Sequence, residues 1–188
     1  MEYPDNYVDL FEFSQYYGEL DEAPSLIILR NIINTVIKLK ENDIFHRDLK
    51  DENILLDPTT LNVKIIDFGC ATDFYSDSVY TKLSGTPEFM PPEAFKTGSY
   101  HAEHSTIWSL GIILFTLLNG RLPYEDINDF STRNQVHYTP MVNPFICIFK
   151  MKINTTEEVK ELINSMLNLD ETKRPSLNQL CDIPCLKI

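Results

Sequence analysis

The residues His46-Arg47-Asp48-Leu49-Lys50-Asp51-Glu52-Asn53, followed by Asp67-Phe68-Gly69, decide how this chain is read. The first run reads as a loop between a helix and a hairpin, and the triplet lies just past that hairpin. Together they supply two carboxylates (Asp48, Asp67), an amide (Asn53) and an ammonium (Lys50). Phosphoryl transfer needs such a set. One carboxylate orients the attacking hydroxyl, a second carboxylate and an amide oxygen hold magnesium on the phosphates, and a cation offsets transition-state charge.

Working outward, Asn53 to Leu56 and Val63 to Ile66 are short apolar runs flanking Asp57-Pro58, which predicts the hairpin. Upstream, Tyr7 to Tyr16 reads as a short amphipathic helix ending at Gly18. Pro24 to Lys40 reads as a longer one, with Ile28, Ile32, Val36 and Leu39 on one face. Downstream, loop-like sequence runs from Asp67 to Pro91. His104 to Leu118 is almost continuously apolar, as expected of a helix buried on all sides. Val159 to Leu169 predicts another amphipathic helix, and Ser176 a cap for a short last one. The expected fold class is mainly α with a small β-hairpin.

Composition excludes several classes. At 43% hydrophobic and 23% charged residues the chain is globular rather than disordered. No apolar run reaches the roughly 18 residues of a membrane span. The acidic start MEYPDNYVDLF lacks the positive charge of a signal peptide, so cytoplasm or nucleus is the expected location. A net charge of -12 argues against nucleic acid or an anionic membrane as partner. It suits a basic peptide, although solubility alone accounts for it. Cys70, Cys147, Cys181 and Cys185 make no CxxC pair and read as free thiols.

HRDLKDEN with the downstream DFG resembles the catalytic loop and metal-binding triplet of protein kinases. Gly85-Thr86-Pro87-Glu88 and Pro91-Pro92-Glu93 resemble the end of an activation segment. Trp108-Ser109-Leu110-Gly111 resembles the central helix, and Lys173-Arg174-Pro175 the arginine near the end of the domain. All occur in the family's order. The resemblance implies a kinase-like fold, ATP and Mg2+ as cofactors, Asp48 as catalytic base, and Asn53 and Asp67 as metal ligands. It places Lys50 on the transferred phosphate, the serine/threonine pattern. It implies a hydrogen bond from Thr86 into the catalytic loop and a buried structural ion pair between Glu93 and Arg174.

KDEN, VDLFEF and VYT are most similar to the Pim kinases, with PAS kinases next. That likeness places Pro4 in the hinge, with the Glu2 carbonyl accepting from adenine, Leu55 under the base and Asp9 near the ribose. It implies substrates with basic residues before the target Ser or Thr, read by Asp9, Glu12 and Glu52. For Asp9 and Glu12 a solvated helix face competes with that reading. Thr86 borders the substrate, and Thr81 is the first candidate phosphosite, ahead of Ser76, Ser78 and Ser84.

Four departures stand out. In this register the 188 residues begin at the hinge, so they hold a C-lobe without the N-terminal β lobe, its glycine-rich loop, strand lysine and helix-C glutamate. Such a piece is expected to turn over little ATP alone. Thr106 stands where most kinases carry an aspartate, a feature shared with Pim kinases. Lys82 replaces an acid expected near Arg47. Finally, Val142 to Ile153 (VNPFICIFKMKI) is too apolar for a surface loop, and reads as an insertion in the 1–188 domain or as a retained intron. Two functions therefore stand: a serine/threonine kinase, or a non-catalytic half-domain that binds a partner.

Overall fold

The computed structural model describes residues 6–75, 78–123 and 155–187. The Val142–Ile153 stretch, Glu2, Pro4, Ser76 and Cys147 lie outside them.

Tyr7 does not begin a helix. Strand β1 (Val8–Asp9) comes first and helix α1 (Leu10–Tyr17) follows. The reason is Asp9, whose extended backbone and carboxylate cap the helix, accepting from the Glu12 N–H at 2.6 Å. Gly18, at φ 71°, ends the helix as its sequence position implied. Helix α2 (Glu22–Glu41) then runs 20 residues and buries Ile28, Ile32 and Val36, the face marked by their spacing.

Strand β2 (Ile44–Phe45) leads into the catalytic-loop sequence, and the hairpin follows as β3 (Ile54–Leu56) and β4 (Val63–Ile65). β1 adds to its other edge, giving the order β1-β3-β4, all antiparallel. The register sets Asp9 opposite Leu55.

The 67–91 stretch holds more than loop. β5 (Thr72–Asp73) pairs with β2, and β6 (Val79–Tyr80) pairs with β7 (Tyr100–His101). Two-residue strands have no readable period; their pairing comes from what they pack on. Here that is a small cluster of Phe45, Phe74, Met90, Ala94, Tyr100 and Ala102, with Phe45 meeting Phe74, Tyr80 and Tyr100 edge to face.

After α3 (Pro92–Lys96), helix α4 (Ala102–Asn119) fills the main core. Its Trp108, Leu110, Ile112, Leu114 and Phe115 are each 0–1% exposed. Burying each such side chain contributes roughly 1.5–3 kcal/mol before the entropy of ordering it is subtracted. Helix α5 (Glu157–Met166) crosses it closely at Gly111, where a Cβ would sit 2.7 Å from Leu167 Cδ2. Thr156 starts α5 and is tied to the first turn of α2, its backbone N–H and hydroxyl both donating to Glu22. The last helix, α6 (Leu177–Asp182), begins with a full capping box between Ser176 and Gln179. Cys70, Cys181 and Cys185 are free thiols.

Candidate active site

The loop from His46 to Asn53 is pinned at His46. This imidazole is 5% exposed and sits 2.9 Å from the Ile66 carbonyl through Nε2. Its Nδ1 accepts from the Asp48 N–H at 3.3 Å, which fixes the proton on Nε2. Burial lowers the His46 pKa, against the opposing pull of the Ile66 hydrogen bond and the Asp48 and Asp67 charges. The neutral ring therefore ties the loop to the strand leading to Asp67. The Phe68 ring meets it edge-on at 5.0 Å. Sequence reading gave His46 no role; its place directly before Arg47-Asp48 was the available signal.

Asp48 is held from two sides. The Thr86 backbone N–H donates to Oδ1 at 2.8 Å, and Asn53 Nδ2 donates to Oδ2 at 3.2 Å and to the Asp48 carbonyl at 2.8 Å. The expected bond from Thr86 is present and comes from its backbone. Gly85 makes that approach possible. At φ 107° it lies so close to the loop that a Cβ would stand 2.3 Å from the Arg47 carbonyl oxygen.

Lys50 Nζ pairs with Glu52 at 2.5 Å. Burial opposes its charge, but Glu52 and the Asp48 and Asp51 carboxylates outweigh that and raise its pKa, so Lys50 is a fixed cation beside Asp48. Asp51 is buried, and desolvation raises its pKa. Asp67 adopts a left-handed backbone (φ 59°, ψ 77°), and its Oδ1 accepts from the Gly69 N–H at 3.1 Å.

Asn53 directs its amide N–H groups at Asp48, which leaves Oδ1 as the atom able to face a cation. Asp67 is exposed and has Oδ2 to offer. Two hard oxygens on adjoining segments suit Mg2+, which takes carboxylate and carbonyl-type ligands and keeps much of its water.

The chain is similar to the protein kinase domain family over residues 1–186. It is 36% identical to serine/threonine-protein kinase prk-2 of Caenorhabditis elegans, covering 100% of this chain and 40% of that protein. It is 36% identical to serine/threonine-protein kinase pim-2 of Danio rerio, covering 97% of this chain and 54% of that one. A match at 32% identity to serine/threonine-protein kinase ppk25 of Schizosaccharomyces pombe covers 95% and 40%. The chain belongs to the protein kinase family. It spans about half or less of the length of these curated relatives, 40% to 54%.

The described residues of this protein kinase chain form a C-lobe, mainly helical with small sheets. Its buried ion pair is bidentate: Arg174 meets Glu93 at 2.7 and 2.8 Å, with the arginine side chain 0% exposed. Arg174 also donates to the Asn168 and His104 carbonyls and lies 4.9 Å over the Trp108 ring. Thr106 directs its hydroxyl to the Ala102 carbonyl of its own helix at 2.8 Å, as a short hydroxyl inside a helix does. Arg47 donates to the Cys70 carbonyl at 2.5 Å, and Tyr100 donates to the Lys82 carbonyl at 2.9 Å. The activation segment is thus held near Arg47 through backbone oxygens, without an acid at position 82.

Leu55 is 2% exposed at the centre of the three-stranded sheet, opposite Asp9. Glu12 and Glu52 are exposed, and Glu52 is engaged by Lys50. Thr81 is exposed directly after β6. No helix among the described residues is long and apolar enough to cross a membrane.

Proposed function

We propose that this chain is the catalytic lobe of a serine/threonine kinase, transferring the γ-phosphate of ATP to Ser or Thr of protein substrates that carry basic residues before the target. The observation that carries the reading is the two-sided hold on Asp48 by Thr86 and Asn53. A carboxylate fixed in this way, with acceptor capacity left, is placed to take the proton of an incoming hydroxyl. Lys50 offsets charge on the moving phosphoryl group.

Asn53 and Asp67 would hold Mg2+, which supplies charge neutralisation on the phosphates. The Glu2 backbone, Leu55 and Asp9 take adenine and ribose. Asp9, Glu12 and Glu52 receive the basic residues of the substrate, and Thr86 lies under the target residue. Thr81 is the proposed activating phosphosite: a phosphate there adds negative charge on the segment that runs past Arg47.

The test is radiolabel transfer from γ-labelled ATP to an arginine-containing Ser peptide, with Asp48→Asn as control. In a chain carrying the upper-lobe lysine, turnover is expected to vanish in Asp48→Asn and to fall when the peptide arginines become alanine. The 188 residues alone are expected to turn over slowly. ATP binding without transfer in the longer chain would favour a non-catalytic binding module.

A further inference from the structure

His101, His104 and Glu171 come together next to β7, the strand that pairs with β6. Their ligand atoms all lie within 4.8 Å of one another. His101 Nδ1 is 3.4 Å from Glu171 Oε2, and His104 Nδ1 is 3.5 Å from the same oxygen. Zinc bound by nitrogen and oxygen at about 2.0–2.1 Å puts tetrahedral ligands about 3.3–3.4 Å apart. Both contacts lie near that edge length.

A second observation is the burial of one of these ring nitrogens. His104 Nδ1 is shielded from solvent and makes no hydrogen bond among the described residues. Its 3.5 Å contact with Glu171 is too long to satisfy it as a hydrogen bond, and an unsatisfied buried nitrogen is costly unless something else meets it. Here it is aimed at the Glu171 carboxylate.

The three residues stand on ordered backbone. His101 closes β7 and is the residue before α4, His104 lies in its first turn, and Glu171 opens the 3-10 turn Glu171–Lys173. The His104 carbonyl accepts from Arg174 at 3.0 Å, which fixes the helix start against that turn. Side-chain exposures of 35%, 31% and 24% leave an opening for a water as fourth ligand.

We propose that His101, His104 and Glu171 form a Zn2+ site of the two-histidine, one-carboxylate type. Two imidazoles select zinc over Mg2+ or Ca2+, which prefer all-oxygen shells. The ion clamps β7, and through the Val79–His101 pairing the activation segment, to the turn that carries Arg174. The site lies outside the Asp48–Asn53–Asp67 chemistry and does not depend on it.

The test is titration of the full chain with Zn2+, followed by thermal denaturation, and with Co2+, followed by visible absorption. One equivalent of Zn2+ is expected to raise Tm where Mg2+ does not. Co2+ is expected to give ligand-field bands of a four- or five-coordinate nitrogen–oxygen site. His104→Ala and Glu171→Gln are expected to weaken Zn2+ binding at least about tenfold. Circular dichroism of the metal-free variants shows whether each folds; His101→Gln replaces any that does not. Unchanged affinity in the folded variants, no binding, or an intense thiolate-to-cobalt band from a cysteine site would each overturn the proposal.

Discussion

Gly85 shows how a residue with no side chain shapes the chemistry. Its φ of 107° is open to glycine, and a methyl group there would press on the Arg47 carbonyl at 2.3 Å and on Asp48 Oδ1 at 3.3 Å. Gly85→Ala must move the activation segment away from the loop and stretch the Thr86–Asp48 bond. Overpacking of this kind costs roughly 1–3 kcal/mol, which predicts turnover about ten- to a hundredfold lower. Gly98→Ala is the control. Gly98 also has positive φ, 68°, but nothing lies within 4 Å of its would-be Cβ. It should lose about 1 kcal/mol of stability from backbone strain and keep its turnover, measured in the same peptide assay. Asp48, Lys50, Asn53 and Asp67 stand out in the sequence because their types and order are what the proposed chemistry requires. Gly85 was legible only as a motif letter; its contact with Arg47 is made by the fold. His101 and His104 are near neighbours at the start of α4, but Glu171 lies far along the chain and only the fold brings it to them.

At the scale of elements, the pair between Glu93 in α3 and Arg174 after the 3-10 turn holds the activation-segment end against α4. It is buried, bidentate and backed by two carbonyls, so removing one partner strands the other. Arg174→Ala and Glu93→Ala are each expected to cost about 3–5 kcal/mol in denaturant unfolding. The double variant should cost clearly less than the sum, since it leaves no orphan charge. Additive losses would show that the two residues act separately. The elements themselves were largely legible. Helix α4 announced itself by continuous apolarity, α2 by its period, and α6 by Ser176. What escaped was set by pairing rather than pattern: β1 ahead of α1, and β5 to β7 within a stretch read as loop. Two residues cannot display a period, so only their packing partners define such strands.

At the scale of the whole molecule, charge bears on the proposed substrate class. The net charge of -12 creates a field that would favour the basic peptides proposed as substrates. Near the proposed substrate rim, exposed Glu12 and Glu52 add local acidity, though Lys50 already neutralises part of Glu52. Long-range attraction is screened as the Debye length shrinks from about 10 Å at 0.1 M salt to about 3 Å at 1 M. The kcat/KM for an arginine-containing peptide should therefore fall steeply with added salt, through KM rather than kcat. A peptide with those arginines replaced should show a shallower slope. Glu12→Gln separates the rim from the field: it should flatten the salt slope for the basic peptide only if that carboxylate meets a substrate arginine. An unchanged slope in Glu12→Gln, with the steep dependence retained, would assign the effect to net charge and leave Glu12 as a solvated helix face.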